Sequence, residues 1–291
     1  MSIKNLPAAP AGRPSAAVNS YLSPRALERW DAGVRAAADD QVDRTISIYD
    51  VIGYDWWTGE GVTAKRISAA LRSMGAGPVT VNINSPGGDL FEGLAIYNVL
   101  REHQGHITTK VLGLAASSAS VIAMAGDTTQ IARAGFFMVH NGWLIAQGNR
   151  HDLREIADWM EPFDAAMADI YATRTGQDIA DVRRQMDGET WFGGTQAIEQ
   201  GYADEMLNAD QVGKGEGAAQ ASVVRRIEAA MRASGLPRSE AQRLISDFKS
   251  SLSDSTGGGA PDATGRGLSD SAALSTTAAL AASLTSVFPK R

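Results

Sequence analysis

Cysteine is absent from the 291-residue chain, lysine occurs only at Lys4, Lys65, Lys110, Lys214, Lys249 and Lys290, and aromatics make up 7%. Without cysteine there is no disulfide scaffold, no thiol nucleophile and no cysteine-ligated zinc or iron–sulfur site, so any chemistry must use oxygen, nitrogen or carboxylate groups. Few lysines in an acidic balance, formal net charge −6, argue against a nucleic-acid-binding surface. No apolar run approaches the roughly 18 residues that cross a bilayer, and the opening MSIKNLPAAPAGRPS has no secretory core, so the chain reads as soluble, cytoplasmic and free of membrane partners.

What is present is uneven. Residues 1–40 are rich in Ala and Pro, with an amphipathic stretch from Pro24 to Ala38, and read as a partly disordered or propeptide-like extension. From Thr45 to Asn208, within a domain expected over 41–208, short apolar runs alternate with helix-period segments, the pattern of an α/β fold. Beyond it, 209–291 carries helical patterns at Ala221–Ala233 and Ser239–Ser250. A Gly/Ser/Ala/Thr-rich stretch from Ser251 to Ser283 follows, with too little apolar area to offset its ordering entropy. Inside the domain, strands are expected at Thr45–Ile52, Val79–Asn84 and Ile107–Leu112, and helices at Thr63–Met74, Asp89–His103 and Ala116–Ala125. Strands in this βαβ order lie parallel with right-handed crossovers, so their C-terminal ends share one edge of the sheet, where α/β sites form.

Two junctions on that edge carry candidate chemistry. Asn84-Ser85-Pro86-Gly87-Gly88-Asp89 has glycines that let backbone N–H groups approach a ligand, although a plain tight turn explains them equally well. The absence of the G-x-x-x-x-G-K-[ST] pattern and of a following Lys disfavours a phosphate loop. Gly113-Leu114-Ala115-Ala116-Ser117-Ser118-Ala119-Ser120 puts hydroxyls at a helix start, where free N–H groups stabilise a developing oxyanion; the plain alternative is an N-cap. Of the four histidines, His103 and His106 flank Gly105 in a polar connection and His151 opens a helix. His140 instead ends the apolar run Gly135–Val139, a polar group delivered by a buried strand to its tip. Paired with Ser117 it fits a nucleophile and its general base. Asp187 and Glu189 stand downstream as carboxylates that could orient the imidazole.

Five motifs in order resemble the ClpP serine peptidases: Ile83-Asn84-Ser85-Pro86-Gly87-Gly88, Gly113-Leu114-Ala115-Ala116-Ser117, Met138-Val139-His140, Thr175-Gly176-Gln177, and Ala197-Ile198-Glu199-Gln200-Gly201-Tyr202-Ala203-Asp204. The resemblance covers Thr45–Asn208. It implies a ClpP/crotonase-like fold with a mainly parallel sheet, Ser117 as nucleophile, His140 as base, and an oxyanion hole from the N–H groups of Gly87 and Ser118. The third position falls on Glu189, where ClpP proper usually has Asp, with Asp187 as the alternative acid. Asn141–Arg150, including Leu144 and Ile145, corresponds to the strand and loop along which extended peptide is bound, together with Gly88. Asp152–Thr173 corresponds to a long handle helix through which rings meet. No cofactor and no metal is implied.

The more than 80 residues after Leu207, with the Glu189-Thr190-Trp191 signature, look like the ClpP-related head maturation proteases of tailed bacteriophages and prophages. That resemblance implies an ATP-independent serine endopeptidase, a ring-forming homo-oligomer that cleaves capsid or scaffold protein, and its own tail, inside a procapsid in the host cytoplasm. Alternatives are a proteolytic subunit working with an unfoldase, or a catalytically silent scaffolding protein with the same fold. The Ser117/His140 pairing disfavours a crotonase-type acyl-CoA enzyme. A Ser/Lys enzyme lacks its base, since no Lys lies between Lys110 and Lys214.

Overall fold

The computed structural model describes residues 19–20, 22–36, 44–54, 61–208 and 212–214, with further pieces at 227–228, 230–231, 236 and 240–247. Expectations for the Pro-rich opening before residue 19, for most of Ala221–Ala233, and for the Gly/Ser-rich stretch Ser251–Ser283 lie outside the described residues. Met1–Arg243 and Leu244–Arg291 form separate compact units. Only Leu244–Asp247 of the second is described, and it is helical.

In chain order the elements are β1 (Asn19–Ser20), α1 (Pro24–Arg29), β2 (Val34–Ala36), β3 (Thr45–Ile48), β4 (Gly53–Tyr54), β5 (Gly61–Val62), α2 (Ala64–Met74), β6 (Val79–Ser85) and α3 (Leu90–Arg101). Then come β7 (Ile107–Ala116), α4 (Ser118–Ala123), β8 (Thr128–Ile131), β9 (Phe136–Val139), β10 (Leu144–Ile145), α5 (Arg150–Thr175), α6 (Ile179–Asp187), β11 (Thr190–Gly193), α7 (Gly194–Glu199), β12 (Glu205–Met206) and β13 (Val212–Lys214). The fold is α/β around a seven-stranded sheet in which β11, β9, β7, β6 and β3 are successive neighbours, with β8 pairing both β7 and β12. All pairs are parallel except β11 with β9.

Sequence chemistry explains the layers. β6 and the second half of β7 are buried on both faces, as expected for central parallel strands. Thr63 caps α2 by accepting from the Arg66 N–H, and Gly75 ends it at φ 66°. Asp89 caps α3 by accepting from the N–H groups of Phe91 and Glu92. α4 is buried on every side, which is why small and apolar residues fill it.

Several boundaries differ from expectation. The strand foreseen over Thr45–Ile52 ends at Ile48, and Ile52 makes an isolated bridge to Gly88 instead. β7 runs on through Gly113–Ala116, because that half pairs with β9 while the first half pairs with β8. The amphipathic stretch Pro24–Ala38 breaks into α1 and a strand, as Asp31 and Gly33 turn the chain and β2 pairs with β13. β8, α6, β11 and β12 were not anticipated; they are short, and two of them pair only with distant partners.

Candidate active site

Three adjacent parallel strands, β6, β7 and β9, end at the same edge of the sheet, and just past their tips lie Gly87, Ser117 and His140. Ser117 stands at the N-cap position of α4 with φ 56° and ψ −129°, a left-handed conformation costly for a residue with a Cβ. Its side chain makes no capping bond. Oγ lies instead 2.7 Å from His140 Nε2. The plain N-cap explanation of Ser117 is therefore not what the geometry contains.

The backbone around Ser117 is held from three sides. Its N–H donates to the Met138 carbonyl of β9 at 2.9 Å. Its carbonyl accepts from Ser120 N–H at 2.9 Å and from Ser120 Oγ at 2.6 Å. Ser120 Oγ also meets the buried Tyr171 hydroxyl of α5 at 2.7 Å. Ser118, one step round the helix, is buried under Gly93, where a Cβ on Gly93 would come within 2.5 Å of Ser118 Cβ.

Gly87, at φ 87°, is pressed against the nucleophile: an added Cβ would lie 2.6 Å from the Ala116 carbonyl oxygen, 2.7 Å from Ser117 Cβ and 3.2 Å from Ser118 N. Gly87 and the Ser118 backbone nitrogen thus lie close together beside Ser117. Gly87 N–H donates to Ser85 Oγ at 3.2 Å, a bond long enough to be exchanged for a stronger one to an oxyanion. Gly88, at φ 151°, sits on Ile52, whose N–H donates to the Gly87 carbonyl and whose carbonyl accepts from Asp89 N–H.

The acid position is open. His140 is buried, and its Nδ1 has no hydrogen-bond partner. Extending the antiparallel register Thr190↔Val139 by one step places Glu189 opposite His140. The Glu189 side chain nevertheless turns to Trp191 Nε1 at 3.4 Å and Arg25 Nη1 at 3.5 Å. Asp187 accepts from Asn141 Nδ2 at 2.7 Å. Burial depresses the imidazole pKa to about 4, opposed by the Glu189 charge, so His140 is neutral at physiological pH and able to accept a proton. The structure brings Ser117 and His140 together and leaves both candidate carboxylates outside hydrogen-bond reach of the imidazole.

Leu144 and Ile145 form β10 just beyond His140, and Leu144 joins Leu90, Phe91, Trp143, Trp159, Met160 and Phe163 around a narrow apolar depression. The intervening Gly142 donates its N–H to Asp164 Oδ1 of α5 at 2.7 Å. Burial pushes the Asp164 carboxyl pKa up while this bond opposes the shift. Sequence reasoning missed Ser120, Tyr171, Asp164 and Arg25. Only Ser120 carried a local signal, as the third serine of the Ser117 run. Among the other histidines, His103 Nε2 lies 2.8 Å from the Gly77 carbonyl oxygen, so it is tied into a turn rather than merely solvated. No metal-holding group of three or more His, Asp or Glu occurs among the described residues, and no helix among them is long and apolar enough to cross a membrane.

A mainly parallel α/β sheet thus presents a serine at positive φ against a buried neutral histidine, with Gly87 packed beside them. The chain belongs to the Clp protease family, whose profile matches residues 59–210. A Streptomyces avermitilis ATP-dependent Clp protease proteolytic subunit 2 is 30% identical over 201 residues, covering 66% of this chain and 97% of its own. Proteolytic subunits from Salinibacter ruber and Thermobifida fusca are 30% and 31% identical, covering 45% and 44% of this chain. The matches span 57% and 64% of those two relatives. The solved structure of a ClpP1 mutant from Listeria monocytogenes superposes with a TM-score of 0.50 at 22% identity, over 58% of this chain and 94% of its own, a likeness of fold.

Proposed function

We propose that this chain is a serine endopeptidase of the ClpP type, with Ser117 as nucleophile, His140 as general base and Glu189 as the acid. The observation that carries the reading is the 2.7 Å contact between His140 Nε2 and an Oγ that declines its capping role. In the reaction His140 takes the Ser117 proton as Oγ attacks the scissile carbonyl carbon. The oxyanion is received by the N–H groups of Gly87 and Ser118. His140 then passes the proton to the leaving amine, and an acyl-enzyme remains. Water, deprotonated by the same imidazole, attacks the ester and restores Ser117. Gly88 and β10 would hold the substrate backbone.

For its biological setting, the reading favoured by the Glu189-Thr190-Trp191 sequence and the more than 80 residues beyond Leu207 is ATP-independent processing of phage capsid or scaffold protein by a homo-oligomeric ring. The relatives' names, ATP-dependent proteolytic subunits, favour instead a partnership with an unfoldase. Incubating the purified full chain without ATP and weighing the fragments separates the two, since discrete cleavage of its own termini supports the first and inertness towards folded protein supports the second. Ser117→Ala is expected to abolish fluorophosphonate labelling and self-cleavage while the assembly keeps its size. Undiminished labelling in that variant would end the mechanism.

A further inference from the structure

β10 belongs to no large sheet. Its pairing among the described residues is with β1, antiparallel, Asn19 opposite Ile145 and Ser20 opposite Leu144. The edge proposed above to receive extended substrate therefore holds a strand of the chain's own N-terminal segment. Six to ten residues further on, the chain is anchored. Ala26, Leu27 and Trp30 are buried against Leu114, Ala116 and Met138, the residues that lead into Ser117 and His140. Trp30 Nε1 donates to the Asn84 carbonyl at 3.0 Å.

The same segment reaches the open acid position. Arg25, on the first turn of α1, is the residue whose guanidinium meets Glu189 Oε1, and Arg29 stacks over the Trp191 ring at 4.3 Å to its centroid. Two independent contacts, main-chain pairing on β10 and side-chain contact with Glu189, thus fall at the two places where a working site would need its groups free. Arg25 is 74% exposed, so its ion pair is weak and solvent-screened, a hold that can be exchanged rather than a lock. A two-residue strand is likewise easily displaced.

We infer that β1 and the Arg25 side chain form an intramolecular strap, β1 occupying the peptide-binding edge β10 and Arg25 drawing Glu189 from His140, so that the chain folds latent and is switched on when these two contacts let go while Ala26, Leu27 and Trp30 stay buried. Peptide and strap compete for the same main-chain groups, and departure of the strap frees Glu189 to turn to the unpartnered Nδ1. This rests on the peptidase reading for the role of β10, but the pairing itself is open to a test that needs no activity.

Because the chain has no cysteine, a Ser20→Cys, Leu144→Cys pair can be oxidised in the full chain without competing thiols. Directly opposed antiparallel residues have Cα atoms about 4.5–5.5 Å apart, within the roughly 4.4–6.8 Å range of disulfides. The expected result is a cross-link seen in non-reducing peptide maps, with hydrolysis of an extended fluorogenic peptide falling about tenfold or more when oxidised and returning on reduction. Failure to cross-link, or equal hydrolysis in both redox states, would overturn the strap. In the full chain carrying Asn19→Pro and Ser20→Pro, which removes both strand donors, KM for that peptide should fall several-fold with kcat held or raised. An unchanged KM would count against the strap. Absence of fluorophosphonate labelling in the Asn19→Pro, Ser20→Pro chain as well as in the unmodified one would sink the peptidase reading instead, and the cross-link would then decide the pairing alone.

Discussion

Burial of His140 links catalysis to stability at the level of one side chain. Its pKa falls from 6.5 to about 4 on folding because the charged imidazolium is poorly solvated in the site. A depressed folded-state pKa gives stability that is fully present above the unfolded value of 6.5 and is lost as pH falls towards 4. At roughly 1.4 kcal/mol per unit the loss is about 3 kcal/mol. Urea unfolding at pH 7 and pH 4.5 should show most of this loss in the native chain and a smaller one in His140→Gln; equal losses would mean that folding leaves the imidazole pKa unchanged. The acid question sits beside it. Glu189 lies opposite His140 in the register and its charge acts on the imidazole, whereas Asp187 is occupied by Asn141. Glu189→Gln should therefore lower kcat about tenfold or more and Asp187→Asn only slightly. The reverse ranking would reassign the acid.

Elements meet at the site through Asn84 and Gly113, which come from two of the five motifs that carried the family resemblance. Asn84 Oδ1 accepts from Leu114 N–H at 3.1 Å, and its Nδ2 donates to the carbonyls of Asp31 and Val34 at 2.7 and 3.1 Å. One buried amide thus ties β6, β7 and the N-terminal segment. Gly113 leaves the room for it, since a Cβ there would lie 2.7 Å from Asn84 Oδ1. Gly113→Ala should cost about 1–3 kcal/mol in urea unfolding by pushing that oxygen from its donor. In an Asn84→Ala background the same change should cost much less, and additive costs would disprove the coupling. The sequence made Asn84, Gly87, Ser117 and His140 readable because each stands at or just past the C-terminal tip of a strand whose apolar run is visible locally, whereas Gly113, expected to end its strand, lies inside β7. β1, β11 and the Arg25–Glu189 contact were not readable. They are set by pairing over long sequence separations, and nothing in a two-residue strand or a surface arginine signals its partner. That Glu189 would turn away from His140 was equally invisible, since it depends on which of two cationic or donor groups reaches the carboxylate first.

Across the whole molecule, α5 connects the interior of the site to the outside. Pro162 divides it, for a proline there removes one helical N–H donor and loosens the turn before it. The C-terminal half is buried through Phe163, Met167, Ala168, Ile170 and Tyr171, and it touches the site twice, by Tyr171 on Ser120 and by Asp164 on Gly142. The N-terminal half is largely exposed and carries Leu153, 45% accessible, one turn from Ile156 on the same helix face. If this half meets a second copy, as the proposed ring requires, assembly and the surroundings of Ser117 share one helix across the Pro162 break, and loss of the contact should reach the nucleophile. Leu153→Glu, a charge set into that apolar row, should lower the sedimentation coefficient of the full chain. It should also slow fluorophosphonate labelling, although the substitution lies 36 positions from Ser117 (153 − 117). An unchanged sedimentation coefficient would place the ring contact elsewhere. A smaller species that still labels at the native rate would show that α5 assembles the protein without setting its site.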